Sequence, residues 1–170
     1  MRCAALLGCI AAAVLAGCGG GDDSTTSRSS TTADTTAASS PAVLERAVRG
    51  AIEEDHRMSV SVLWTNRVPR RPTATAGPAL AMLRRSAAQR RREHIRVRVV
   101  SERFRILSLR LDPSYTSAKA TVLDVQRTQP SHADGRPLGK PVRLSERARL
   151  VLHRVGSQPR FVVWKVTLAR

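Results

Sequence analysis

Thiols and aromatic rings are scarce in this chain. Its three cysteines are Cys3, Cys9 and Cys18, and none follows. From residue 19 onward, disulfides, thiolate metal ligands and cysteine nucleophiles are therefore excluded, and stability has to come from an apolar core. Two Trp, one Tyr and two Phe are all the aromatics, so the rows of rings on which single-stranded nucleic acid stacks are missing. The four histidines, His56, His94, His132 and His153, stand without ligand spacing. There is no H-E-x-x-H pattern, phosphate-binding glycine loop, nucleophile elbow or calcium loop. These absences argue against a metal enzyme or a nucleophilic triad, and no metal or cofactor is expected.

The N-terminus carries a different kind of signal. Met1-Arg2 is followed by an apolar stretch from Cys3 to Leu15, interrupted by Gly8. That stretch is too short to span a hydrocarbon layer as a helix and has the proportions of a signal h-region. It ends in Leu15-Ala16-Gly17-Cys18, which resembles the lipobox of bacterial lipoproteins. Small residues at 16 and 17 let a peptidase groove close around the backbone, and the Cys18 thiol can accept diacylglycerol as a thioether. The resemblance implies that residues 1–17 are a signal peptide and that Cys18 is the lipidated N-terminus, carrying acyl chains such as palmitate. The chain would then be extracytoplasmic and anchored to the cell membrane.

Residues 19 to 40 contain no Leu, Ile, Val or aromatic side chain. Such a Gly/Ser/Thr-rich segment cannot bury enough apolar surface to offset its ordering entropy, so 18–40 reads as a lipidated Cys followed by a disordered tether. Flexible-chain statistics give it a mean reach of about 25 Å. Residues 41–170 suit one domain with a single core.

Within that domain, Ser40 before Pro41 makes a helix start, with a side-chain cap and a ring already at helical φ. Leu44, Ala47, Val48, Ala51 and Ile52 share one helical face, which predicts a helix over roughly 41–56. Residues 58–68 fit both a strand alternation and a continued helical face; helix is favoured, with Pro69 and Pro72 ending it. A second helix is expected from Pro78 to about Arg92. After His94 the period becomes two. Ile95, Val97 and Val99 alternate with arginines, as do Leu107, Leu109 and Leu111 with Ser108 and Arg110; Asp112-Pro113-Ser114 makes the turn. A strand over about 118–127 follows, then a long loop holding Pro130, Asp134-Gly135 and Pro137. A strand near Leu144 places Ala148, Leu150 and Leu152 on one side, and a last strand, Phe161 to Leu168, puts Val162, Trp164, Val166 and Leu168 on one face.

Two or three N-terminal helices followed by an alternating meander give an α+β domain with helices packed on a curved antiparallel sheet. The order of elements, the small-residue strand from Tyr115 to Val122, and the closing Phe161-Val-Val-Trp-Lys-Val166 are similar to the nuclear transport factor 2-like superfamily. The resemblance implies a cone-like roll with a pocket at its open end. Its members range from isomerases and cyclases to pure binding domains, so the fold does not choose a function.

Candidate site residues follow from the strand pattern. If Ala118, Ala120 and Val122 face inward, alternation sends Asp124 and Gln126 inward too. A carboxylate at an apolar wall has the raised pKa a general base exploits, while pairing with an arginine or a solvated strand end is the plainer reading. Tyr115 and Trp164 are the aromatic pocket candidates, with Trp164 more simply a core residue and Tyr115 a brace for the turn.

Charge is the most unusual quantity. The chain carries +16, and loss of Arg2 leaves 28 basic against 13 acidic side chains, or +15. Nine arginines fall between Arg84 and Arg105. Export argues against nucleic acid as the partner. Phospholipid headgroups, anionic envelope polymers or an envelope protein remain. Arg96, Arg98, Arg110, Arg147 and Arg149 are expected on an outer sheet face, where their repulsion favours an anionic partner or interleaved acids. A solvated basic surface in an arginine-rich chain is the plainer reading. The expected function is a non-catalytic, membrane-tethered ligand- or partner-binding domain of the cell envelope. The alternative is a small isomerase, dehydratase or cyclase with Asp124 as general base, and a third arrangement is a homodimer that would present an apolar sheet face.

Overall fold

A computed structural model describes residues 40–169. The expectations for the signal peptide, for Cys18 and for all of the tether but Ser40 lie outside the described residues. Helix α1 (Pro41–Thr65) and helix α2 (Gly77–Arg92) precede four strands: β1 (Ile95–Leu111), β2 (Ser117–His132), β3 (Val142–Arg154) and β4 (Phe161–Ala169). The strands form one antiparallel meander in the order β1-β2-β3-β4, and both helices pack on it. The architecture is therefore α+β with two helices, as the periodicity predicts. Among the described residues no helix is long and apolar enough to cross a membrane.

α1 runs unbroken through the segment that fitted two patterns. It stops because Asn66 adopts the left-handed conformation (φ 53°), its N–H returning to Val62 O at 2.9 Å, so the end comes before Pro69. At the other end Pro41 supplies the first turn, but Ser40 does not cap with its side chain. The Ser40 carbonyl instead accepts the N–H groups of Val43 and Leu44.

The core forms where the apolar stripe of α1 (Leu44, Val48, Ala51, Ile52) meets Ala118, Ala120 and Val122 of β2, Ala148, Leu150 and Leu152 of β3, and Phe161 and Val163 of β4. Alanines on the strands let the larger side chains of the helix sit close to the sheet. Burying each of the large residues contributes about 1.5–3 kcal/mol. Ala79 and Ala87 are the buried residues of α2, which approaches β4 on the same principle.

Three bulges displace the simple alternation. Val100 and Leu107 are extra residues in β1 opposite β2, and Trp164 is extra in β4 opposite β3. Each insertion switches which parity of residue faces the helices. In β1 the inward set is Ile95, Val97 and Val99, then Glu102, Phe104 and Ile106, then Leu109 and Leu111. Leu107 is therefore not on the inner face with Leu109, and it is exposed. In β4 Phe161 and Val163, then Val166 and Leu168, face inward, so Val162 and Trp164 do not share a face with Val166.

Pro130, expected in a loop, lies inside β2 opposite Val97. Its carbonyl accepts Leu138 N–H on the side away from β1. A residue's N and O point to the same side of a strand, so the missing N–H falls there too and the β1–β2 ladder loses nothing. The β4 edge is covered by residues 74–76, with Val163 N–H donating to Ala74 O and Ala76 N–H to Val163 O. This strap delivers the chain to Gly77 at the start of α2.

Candidate functional site

The sheet separates charge by sign, apart from Arg154, which pairs with inward Phe161 at the end of β3. β1 contributes Glu102, β2 Asp124 and β3 Glu146, and all three carboxylates fall on helix-facing register positions. On the opposite face lie Arg96, Arg98, Arg103, Arg105 and Arg110 of β1, Lys119 and Arg127 of β2, Arg143, Arg147 and Arg149 of β3, and Lys165 of β4. These are eleven cations, and no Asp or Glu of the strands stands among them. The five arginines expected on an outer face are all at outer register positions. Arg96 is also tied to the end of α1, its guanidinium 5.7 Å from the centroid of the Trp64 ring.

Register sets the outer face out in rows. One row across the four strands reads Arg110, Lys119, Val151, Lys165, and the next reads Ser108, Thr121, Arg149, Thr167. Together they line a shallow depression of about 470 Å³. Further along, Arg127 faces Arg143 directly. Leu123 between Arg105 and Arg147, Val125 beside Arg103, and Val151 between Lys119 and Lys165 are half-buried, in reach of long aliphatic stems that can cover apolar surface while their heads stay in water.

On the inner face, His56 of α1 lies over the acidic rows. Its ring stacks on Phe104 with centroids 4.0 Å apart. Nδ1 is 3.6 Å from Asp124 Oδ2 and Nε2 is 3.6 Å from Glu102 Oε2. Gln126 Nε2 donates to Asp124 Oδ2 at 2.8 Å, while Asp124 Oδ1 and His56 Nε2 are buried without a hydrogen-bond partner. Burial raises the Asp124 pKa above the ordinary 3.8; His56 opposes that shift, Glu102 and Glu146 add to it, and the Gln126 hydrogen bond opposes it. Next along α1, burial also raises the pKa of Asp55, which accepts a hydrogen bond from the Thr75 hydroxyl of the strap.

Asp124 and Gln126 thus face inward together, as their alternation requires. Tyr115 and Trp164 do not join them. Tyr115 sits in the β1–β2 turn at φ 57°. Trp164 is turned outward by its bulge, 41% exposed, beside His153 (5.3 Å between ring centroids) and against Gly77. The expectation that Trp164 lies in the core is corrected by this bulge, which the alternation of β4 conceals. Nor do the four candidates form one pocket. Trp164 borders the Lys119 register row and Asp124 lies five residues further along β2, about 17 Å at strand rise.

His56, Glu102, Phe104 and Glu146 were not singled out by the sequence. Two of them carried a readable signal: His56 continues the i, i+4 series Leu44, Val48, Ile52, and Glu146 continues the alternation of Ala148, Leu150 and Leu152. Glu102 and Phe104 were hidden by the parity switch at Val100. Among the described residues no group of His, Cys, Asp and Glu has metal-holding geometry.

No family model and no curated protein matches this chain. Among solved structures, the intermembrane space region of the chloroplast protein ARC6 is similar, with a TM-score of 0.61 and 11% identity over 72% of this chain and 94% of that chain. At that identity the likeness shows a shared fold alone. A chain from Catenulispora acidiphila aligns at 16% identity over 73% of this chain and 93% of that one, with a TM-score of 0.38, too low to carry an argument.

Proposed function

We propose that the protein is a lipid-anchored extracytoplasmic domain that binds an anionic component of the cell envelope through its outer sheet face, without catalysis. In this reading residues 1–17 are removed, Cys18 bears the lipid, and the segment up to residue 40 tethers a domain of the nuclear transport factor 2-like kind. The observation that carries it is the separation of charge across the sheet: eleven cations and no strand carboxylate on the face away from the helices. Directly opposed like charges such as Arg110 with Lys119 and Arg127 with Arg143 destabilise a bare sheet, and an anionic partner relieves that cost. The similar ARC6 region belongs to an intermembrane space, which agrees with an envelope setting for a domain of this fold.

The experiment is co-sedimentation of the mature chain, carrying Cys18→Ser to remove the lipid, with anionic vesicles and with purified envelope polymers at low and high salt. Binding at low salt that fades as salt rises supports the reading; no binding at low salt refutes it. Mass spectrometry of the native mature protein tests the anchor, with a diacylglycerol adduct on Cys18 as the expected result.

One observation favours a second reading, an isomerase- or cyclase-type enzyme with Asp124 as base: the raised pKa of an inward carboxylate with one unpartnered oxygen. Against it, the His56 ring stacked on Phe104 occupies space beside Asp124 that a substrate would need.

A further inference from the structure

We infer that the depression spanning the two rows on the outer face is a phosphodiester site that takes the headgroup of an anionic phospholipid of the phosphatidylglycerol kind. The inference rests on the reading of the outer face given above and narrows it to one place and one ligand.

The chemistry of the two rows is complementary to a phosphodiester. The first row sets Arg110 directly opposite Lys119, with Lys165 two strands further on. At the usual spacing of neighbouring strands, the outermost of these cations are about 14 Å apart at the backbone. The second row places Arg149 between two threonines, Thr121 and Thr167, with Ser108 beyond Thr121. Four cationic heads supply charge, and three hydroxyls supply neutral donors for oxygens that a guanidinium fork leaves free. All four cations are exposed, and none makes an ion pair among the described residues. Of the other outer rows, Arg105, Leu123, Arg147 and Ala169 carry no hydroxyl, Arg103, Val125 and Ser145 carry one cation, and Ser101, Arg127 and Arg143 carry two cations and one hydroxyl.

The shape selects the source of the phosphate. The depression is open and lies across the broad face of a four-stranded sheet, so it encloses no free small molecule but can meet groups presented on a surface. Its volume of about 470 Å³ accommodates a glycerophosphate headgroup. A chain held at Cys18 meets the membrane at high effective concentration, which fills a site too weak to recruit a soluble ligand.

The test measures vesicle binding by the mature chain carrying Cys18→Ser, against vesicles of phosphatidylcholine with and without phosphatidylglycerol. One variant neutralises the depression (Arg110→Gln, Lys119→Gln, Arg149→Gln, Lys165→Gln), and a second removes the same charge at the far end of the same face (Arg98→Gln, Arg103→Gln, Arg127→Gln, Arg143→Gln). Expected is binding that requires phosphatidylglycerol, a loss of about tenfold or more in the first variant, and a loss of no more than about threefold in the second. Arg149→Gln alone, whose exposed position leaves folding intact, is expected to lose several-fold. Equal losses in the two fourfold variants overturn the site and leave the general reading of the basic face standing. Failure of the unsubstituted chain to bind overturns both. Binding to pure phosphatidylcholine that matches binding to the mixed vesicles also overturns the headgroup assignment.

Discussion

His56 of α1 stands over Asp124 of β2, Nδ1 to Oδ2 at 3.6 Å, and joins the charged rows of the inner face to the helix that covers them. Asp124 is the less comfortable partner. Burial raises its pKa above the ordinary 3.8, with Glu102 and Glu146 adding to the shift and His56 and the Gln126 hydrogen bond opposing it, so ionisation costs more in the folded protein than in the unfolded chain. A raised folded pKa means that the group's favourable contribution is present below 3.8 and is lost as pH rises through the folded value. Asp124→Asn is accordingly expected to raise the melting temperature at neutral pH. Its advantage should vanish in acid, as thermal melts along a pH series would show; destabilisation at neutral pH would contradict this account.

At the β1–β2 turn the sign is opposite. Asp112 accepts the N–H groups of Ser114 and Ser117 at 2.8 and 2.7 Å together with their hydroxyls, and these bonds depress its pKa far below the ordinary 3.8. The stabilisation is complete above that ordinary value and is lost as pH falls through the folded one. Asp112→Ala should lower the melting temperature at neutral pH, and the gap from the unsubstituted protein should narrow in strong acid.

Asn66 joins three elements. It caps α1, its Nδ2 donates to Ile95 O at 2.6 Å, and its Oδ1 and backbone carbonyl accept from Arg90 and Arg91. Asn66→Ala should cost about 2–4 kcal/mol in urea unfolding, from buried groups left unpaired and a strained left-handed backbone. Asn66→Gly should recover the backbone part of that loss while leaving the hydrogen-bond part.

Two glycines give opposite expectations for one substitution. A Cβ on Gly77, at φ 52°, would stand 2.7 Å from ring carbons of Trp164, whereas a Cβ on Gly50 in α1 would meet nothing within 4 Å. Gly77→Ala should destabilise by about 2–4 kcal/mol, and Gly50→Ala should stabilise by about 0.5–1 kcal/mol. Unfolding midpoints of the two variants decide it.

The helices and the order of strands were legible because their periods are strong: Leu44, Val48 and Ile52 at four-residue spacing, Ala148, Leu150 and Leu152 at two. The bulges were not. An extra residue at Val100, Leu107 or Trp164 leaves a locally alternating sequence on either side, and only pairing across strands reveals the switch. That is why the inward placement of Asp124 on bulge-free β2 was readable, whereas Trp164 was put on the wrong face and Glu102 and Phe104 were passed over. The basic face was partly legible. Arg96 and Arg98 precede the first bulge and Arg147 and Arg149 lie on regular β3, but Arg103 and Arg105 joined them only through the parity switch.

The most direct measurement uses the absence of cysteine after residue 18. In the mature chain carrying Cys18→Ser, a polarity-sensitive fluorophore can be placed on Ser145→Cys, on the outer face opposite Val125, or on Ser61→Cys, on the exposed side of α1. On binding to phosphatidylglycerol vesicles, the label at 145 should shift its emission and become shielded from an aqueous quencher, while the label at 61 stays as it is in buffer. Shielding at 61 with free quenching at 145 would show that the helix side meets the membrane and would contradict the account.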